Sequence, residues 1–364
     1  MRKLIYCFII AVFSCNIFIF KIYAGSPGES YLGLIGITDI AARPSALGGA
    51  YGAMAEDINA LRFNPAGLNN INQYEFQFTH FASFEEINYE SLMFGIPLLT
   101  YNAAAGIAID FLNYGDLNKR TRYGEDKGKF SADDLQLTFG YSQKLKNNID
   151  VGMNLKYFTS KIEEEKANAM AFDAGTLLAI EENIILGFAV QNLGGQLKYI
   201  SQKEDLPLNF KLSTKYKPMR FDNPPNILVD INIPRGNKVN FNVGIEMWLN
   251  EAVAVRGGYK DKVDEGKIIA GLGFRSSVFQ LDYAYMWANE LEAAHRISAI
   301  FRFGGDKEKN IYTSKKRAFE QRFAPRDTYY DPELQTKERT KRTFQFDKDL
   351  NEEIMFFTPL GTIK

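Results

Sequence analysis

Thiols are almost missing from this sequence. Its two cysteines, Cys7 and Cys15, both fall in an apolar leader, and the rest of the chain has none. That excludes disulfides, thiolate metal sites and cysteine nucleophiles from the exported part. Histidine is nearly as scarce: His80 and His295 are the two, far apart and not at ligand spacing. Zinc therefore lacks its usual donors. Serine and aspartate are plentiful enough to draw a hydrolytic triad on paper, but nothing places either histidine beside them. Both histidines are expected in structural positions, at strand ends or facing a lumen. A surplus of one charge is missing too. Lys plus Arg number 43 against 44 Asp plus Glu, for a net charge of −1. The basic residues are scattered, so no nucleic-acid partner is expected. Gly194-Gly195 and the pair Gly271, Gly273 lack the lysine and following helix of a phosphate loop. Beyond the leader no apolar run reaches the length of about 18 residues that a spanning helix needs. No catalytic residue, metal or cofactor is expected, and the chain is not read as an enzyme.

Aromatic residues are what the sequence has in excess, with 29 Phe and 19 Tyr. Such weight suits the interfacial girdles of a membrane barrel. Residues 1–24 read as a signal peptide. Arg2-Lys3 supply the positive start, Leu4 to Phe20 the apolar run, and Ile22-Tyr23-Ala24 the cleavage site before Gly25.

From Tyr74 onward the dominant signal is period-2 alternation. Leu135, Leu137, Phe139 and Tyr141 alternate with Gln136, Thr138, Gly140 and Ser142. Val239, Phe241, Val243, Ile245 and Met247 alternate with Asn240, Asn242, Gly244 and Glu246. Similar series start at Ile149, Leu208, Phe279 and Ile297. Weaker ones fill residues 74–81, 88–96, 103–113, 170–179, 184–192, 227–233, 252–259 and 268–275. The total is about fourteen strands of about nine to eleven residues, an even number and a length that suit a transmembrane antiparallel β-barrel. Alternation alone does not say which face meets lipid, since a soluble exported β domain would turn the apolar series inward. The leader, and the Gly, Ala, Asn and Gln on the polar face, favour a barrel over residues 73–304 with a crowded lumen. Short periplasmic turns are expected at residues 146–148, 181–183, 249–251 and 276–277, with 217–225 longer. Longer outward loops are expected at 113–130, 161–168, 194–207, 260–266 and 287–294, and a short turn at 235–237. The runs Lys119-Arg120-Thr121-Arg122 and Glu163-Glu164-Glu165 belong to these loops as solvated charge.

Residues 25–72 precede the first strand and hold a dense small-residue stretch. It reads Arg43-Pro44-Ser45-Ala46-Leu47-Gly48-Gly49-Ala50-Tyr51-Gly52, then Asp57, Ala60 and Asn64-Pro65-Ala66-Gly67-Leu68. Gly48, Gly49 and Gly52 can take left-handed φ and let backbones approach closely. Asn64-Pro65 and Ala66-Gly67 are turn chemistry, and Asp57 is placed to cap a short helix through Leu61. Such a segment can pack inside a barrel as a plug. The string resembles the N-terminal signature of the PorV/PorQ-type outer-membrane proteins. That group is similar to the FadL fatty-acid channels, which share the Asn-Pro-Ala turn. The run from Gly187 to Gly194 also resembles a recurring strand end of the group. The resemblance spans about residues 25–304. It implies a FadL-like barrel in the bacterial outer membrane, with Arg43, Gly48, Gly49, Ala50, Asp57, Asn64, Pro65, Ala66 and Gly67 as its plug signature.

Two functions follow from that resemblance. In one, the barrel assists protein secretion or cell-surface assembly by binding cargo or secretion machinery. In the other, it is a channel for a hydrophobic small molecule. A soluble exported β domain that binds a ligand is the third reading. Beyond Gly304, residues 305–364 lose the alternation and are rich in Lys, Arg, Glu and Asp. They read as a periplasmic tail, disordered in part, that orders on a partner. Phe319, Phe323, Phe356 and Phe357 are its candidate anchors on a periplasmic protein.

Overall fold

The computed structural model describes residues 40–82, 87–121, 123–199, 202–221, 223–261, 268–287 and 294–304. The expected leader, the tail and its four phenylalanine anchors lie outside the described residues.

Fourteen antiparallel strands close into one barrel. They are β1 (Tyr74–Ala82), β2 (Asn88–Leu98), β3 (Ala103–Arg120), β4 (Asp126–Lys146), β5 (Ile149–Ile162), β6 (Glu165–Glu181) and β7 (Ile184–Gly194), then β10 (Asn209–Tyr216), β11 (Asn226–Pro234), β12 (Asn240–Trp248), β13 (Val253–Lys260), β14 (Ile268–Arg275), β15 (Phe279–Trp287) and β16 (Ala294–Phe303). Consecutive strands pair, and β1 closes the ring against β16, with Tyr74 opposite Phe303 and Ala82 opposite His295. Closure removes every free edge, which a spanning sheet requires because hydrocarbon offers no hydrogen bonds. No described helix is long and apolar enough to cross a membrane.

Burial settles which face is inside. Gln136, Thr138, Ser142, Asn154, Asp173, Glu246 and Asp282 are buried, while their neighbours Phe139, Tyr141, Leu155, Phe172, Ile245 and Leu281 are exposed. The apolar series faces outward and the polar series inward, the reverse of a soluble domain. Aromatic belts mark the two rims. At the rim of short turns, Tyr74, Phe94 and Phe303 stack with ring centroids 5.7–6.3 Å apart. At the opposite, loop rim, Tyr285 lies edge-on to Trp287 at 4.6 Å. Both histidines point outward at this loop rim: His80 contacts Glu90 and His295 contacts the Tyr283 hydroxyl. They are strand-end residues but do not face the lumen, because each falls in the outward register of its strand.

Two expected loops are strand. β3 runs 18 residues, β4 21, β5 14 and β6 17, well past the expected nine to eleven. Residues 113–120 with 126–130, and 161–162 with 165–168, are thus the upper parts of paired strands rising above the apolar band. Charge there disguised strands as loops. Beyond the bilayer both faces of a ribbon meet water, so apolar alternation fades while the backbone ladder continues. Asp116 pairs with Lys129 across that ribbon at 3.2 Å, and Lys119 pairs with Glu163. Residues 194–207 contain a further two-stranded hairpin, β8 (Gln196–Tyr199) with β9 (Gln202–Asp205).

Candidate functional site

The lumen is filled by residues 40–72. Their helices are short: α1 is Ala42–Ala46 and α2 is Ala60–Phe63, followed by a 3-10 turn, Pro65–Asn70. Helices of four and five residues do not hold themselves in water, so the wall supplies the order. Almost every residue from Ile40 to Leu68 is buried, Glu56 being the half-buried exception.

Arg43 is the electrostatic centre of the plug. Its Nε and Nη2 reach the two oxygens of Glu246 at 2.9 Å each, a forked pair. Its Nη1 donates to Asp57 at 2.9 Å and its Nη2 to Glu56 at 2.7 Å. Asp57 also accepts from the Tyr51 hydroxyl at 2.7 Å. Glu246 is shared with Arg256 at 2.7 Å, and Arg256 reaches Asp282 at 2.8 Å. Buried charges survive only when paired and hydrogen-bonded, and here a chain of alternating signs runs from the plug through β12 and β13 to β15. Burial drives the Glu56 carboxyl upward, but the Lys215 ammonium and the Arg43 guanidinium outweigh it and hold it below the usual carboxylate range.

Gly48 and Gly49 end α1 with φ of 65° and 76°, a left-handed turn that side chains other than glycine rarely adopt. Gly48 also needs its missing Cβ, which would lie 2.7 Å from the Tyr259 carbonyl oxygen. Gly52 and Gly67 are not left-handed. They serve close approach instead, against Ser213 and Ala55 respectively. Asp57 is not a helix cap. Asn59 stands at the α2 N-terminus without a side-chain cap, and Asp57 accepts from the Asn59 backbone N–H and side-chain amide at 3.0 Å. A carboxylate already held by Arg43 and Tyr51 turns its remaining oxygen to the local turn. Ala50 lies in the shared core of plug and wall with Leu47, Tyr51, Ile58, Phe63 and Leu68.

The Asn64-Pro65-Ala66-Gly67 turn is pinned on both sides. Asn64 Nδ2 donates to the Gly52 and Thr176 carbonyls at 3.1 and 3.2 Å. Its Oδ1 accepts from Ala66 N at 3.2 Å. Pro65 and Ala66 press on Gly152 of β5, where a Cβ would sit 2.4 Å from the Ala66 nitrogen. Wall side chains then take up the plug's free carbonyls. Asn154 donates to Leu61 O at 2.7 Å, Gln191 to Arg62 O at 2.7 Å and Ser142 to Ala66 O at 2.8 Å.

Several partners were not singled out in the sequence. Arg62 binds Asp110 and donates to the Tyr89 hydroxyl at 2.8 Å and to Ser91. Asp230 accepts from the Tyr51 and Gly52 backbone N–H groups at 3.2 and 3.0 Å. For the wall residues the signal was present: a charged residue at an inward position between outward apolar neighbours, as Glu246, Asp282 and Asp230 are. Above the plug, Leu197 of the β8–β9 hairpin and Leu206 are buried with Ile40, Tyr89, Leu112 and Phe158. Among the described residues no three His, Cys, Asp or Glu side chains gather as a metal site.

Residues 120–301, half of the chain, match the family described as type IX secretion system membrane protein PorP/SprF. The chain belongs to this family. It is an outer-membrane β-barrel of a secretion-associated group. The matched residues begin beyond the PorV/PorQ-like signature of the plug. No curated protein matches the chain. Solved structures give the same architecture. The CymD monoaromatic hydrocarbon channel superposes with a TM-score of 0.55 at 10% identity, covering 74% of this chain and 99% of its own. A TodX monoaromatic hydrocarbon channel, the deltaS2 mutant, gives 0.51 at 12% identity, with 75% and 100% covered. A FadL homologue of Pseudomonas aeruginosa gives 0.47 at 11% identity, with 71% and 96% covered. At such identities the first two likenesses establish the fold alone.

Proposed function

We propose that this barrel assists protein secretion as a plugged docking partner, of the PorV/PorQ type, binding cargo or machinery and carrying no small molecule through its lumen. Membership of the type IX secretion family supports the secretion role. The observation that carries the plugged reading is the tie between wall and plug. Side chains of β4, β5 and β7 bond plug carbonyls at 2.7–2.8 Å, and Glu246 of β12 grips Arg43 with both oxygens. A passing molecule would have to break these together, leaving buried polar groups unpaired at about 1–3 kcal/mol each. The rigid barrel then offers its raised β3–β6 hairpins outside and the tail, with Phe319, Phe323, Phe356 and Phe357, to a periplasmic protein. The role is non-catalytic and needs no cofactor.

A second reading, a channel for a hydrophobic small molecule, draws on the likeness to monoaromatic hydrocarbon channels and on the apolar cluster under the β8–β9 hairpin. Deleting the gene separates the two. Loss of surface-exposed exported proteins with unchanged toluene uptake supports secretion. Loss of toluene uptake with intact surface proteins overturns it.

A further inference from the structure

The turn rim holds a cavity of about 440 Å³ beneath the plug. Its charged lining is uneven: Arg43, Lys215, Arg275 and Arg302 face it, against Glu56 and Glu75. Three of the four cations are already paired. Arg43 is held by Glu246 and Asp57, Lys215 by Glu56 at 3.2 Å, and Arg302 by Glu75 at 2.7 Å. Arg275 has no carboxylate partner among the described residues. Its Nε donates to the Glu251 carbonyl at 3.0 Å, and its guanidinium lies 3.7 Å from the Trp248 ring centroid. Stacking and the Nε bond fix the plane of the fork and leave its two terminal nitrogens for a ligand. A planar fork held in place matches a carboxylate with two parallel hydrogen bonds.

We infer that this cavity binds a peptide through a carboxylate, with Arg275 as the principal contact. Two features favour a peptide over an inorganic anion. Glu56 and Glu75 repel a phosphate dianion about twice as strongly as a singly charged carboxylate, and their oxygens, each already holding one bond, keep a second lone pair for the N–H groups that a peptide brings. Asn70, Asn72 and Gln73 line the same cavity. Each spends one amide N–H on a backbone carbonyl, of Ala55, Asn70 and Gly304 respectively, and keeps its other N–H and its oxygen to donate to and accept from a peptide backbone; Gln280 is already taken up by Arg302 and Asp282. The volume lies in the range of small-ligand pockets. The assignment rests on the cavity alone and stands apart from the secretion reading.

The test uses the full-length protein in detergent micelles. The chain has two tryptophans, Trp248 and Trp287. Trp248 stacks under Arg275, whereas Trp287 sits exposed at the far rim, so Trp287→Phe isolates the cavity signal. The probe is the blocked peptide acetyl-Ala-Ala-Glu-Ala-amide, with its Gln twin and inorganic phosphate as comparisons. The Glu peptide should shift Trp248 emission saturably. The Gln twin, and the Glu peptide on Arg275→Gln, should bind about tenfold more weakly, the loss of one charge-assisted pair. Arg275→Lys should fall between, and Arg220→Gln, a cation of the same rim outside the cavity, should bind as wild type. Equal binding of the two peptides, unchanged binding by Arg275→Gln, displacement by phosphate at equal concentration, or no saturable shift would each overturn the assignment. The peptide twins test it without any variant, so a misfolded mutant does not rescue it.

Discussion

At the scale of single residues, the plug depends on charges that cannot be left alone. Arg43 neutralises Glu246 and Asp57, both essentially excluded from solvent. Arg43→Met should cost about 3–5 kcal/mol, because removing one partner of a buried pair strands the other. Denaturant titration in detergent, followed by Trp248 fluorescence, would measure it; a change under 1 kcal/mol would mean that Arg256 alone satisfies Glu246. Gly48→Ala should cost about 1–3 kcal/mol, since it combines a left-handed φ with a Cβ driven into the Tyr259 backbone. Glu56 contributes to the acid side of the pH profile. Its folded carboxyl is held below the ordinary value of 4.5, so its contribution is complete above that value and is lost as pH falls further. Protease cleavage within the plug should therefore rise on acidification below that point. Glu56→Gln should flatten that part of the profile, and an unchanged profile would remove Glu56 from the account.

At the scale of elements, the strands divide into a spanning part and a raised part. Leu137 pairs with Ile109 and Tyr157 midway along the apolar band. Leu137→Arg should cost about 2–4 kcal/mol, while Phe241→Arg, at the loop rim, should cost at most about 1. Heat-resistant migration on a gel and urea unfolding in micelles would rank the two. A larger cost for Phe241→Arg would mean that the band is placed wrongly. The spanning strands were readable because each side chain's face is a local property of period 2. The raised halves of β3–β6 were not, since above the bilayer no apolar face is demanded and Asp, Lys and Glu read as loop. The β8–β9 hairpin was hidden for the same reason: four-residue strands carry too little alternation to register.

For the whole molecule, the barrel is expected to stand without its last residues. Truncation after Gly305 should leave an inserted, heat-resistant barrel, because β16 and its pairing with β1 end at Phe303. Recovery of a co-purifying periplasmic protein should fall in the same variant. Failure to insert would make the tail part of the fold and remove the docking role given to it.

An even-stranded barrel and a small-residue segment ahead of it were determined by the sequence, because strand period and glycine content are properties of neighbouring residues. Which face met lipid was decided by closure, which puts Gln136 and Glu246 inside and Leu137 and Ile245 outside at once. The grip on the plug was decided there too. Arg43 and Glu246 are 203 positions apart, and Ala42 and Ser298 are 256 apart. Likewise Gly152 and Gly258 meet the plug only because β5 and β13 stand on different parts of the ring. No local pattern encodes such meetings, since each depends on the register of all the strands between.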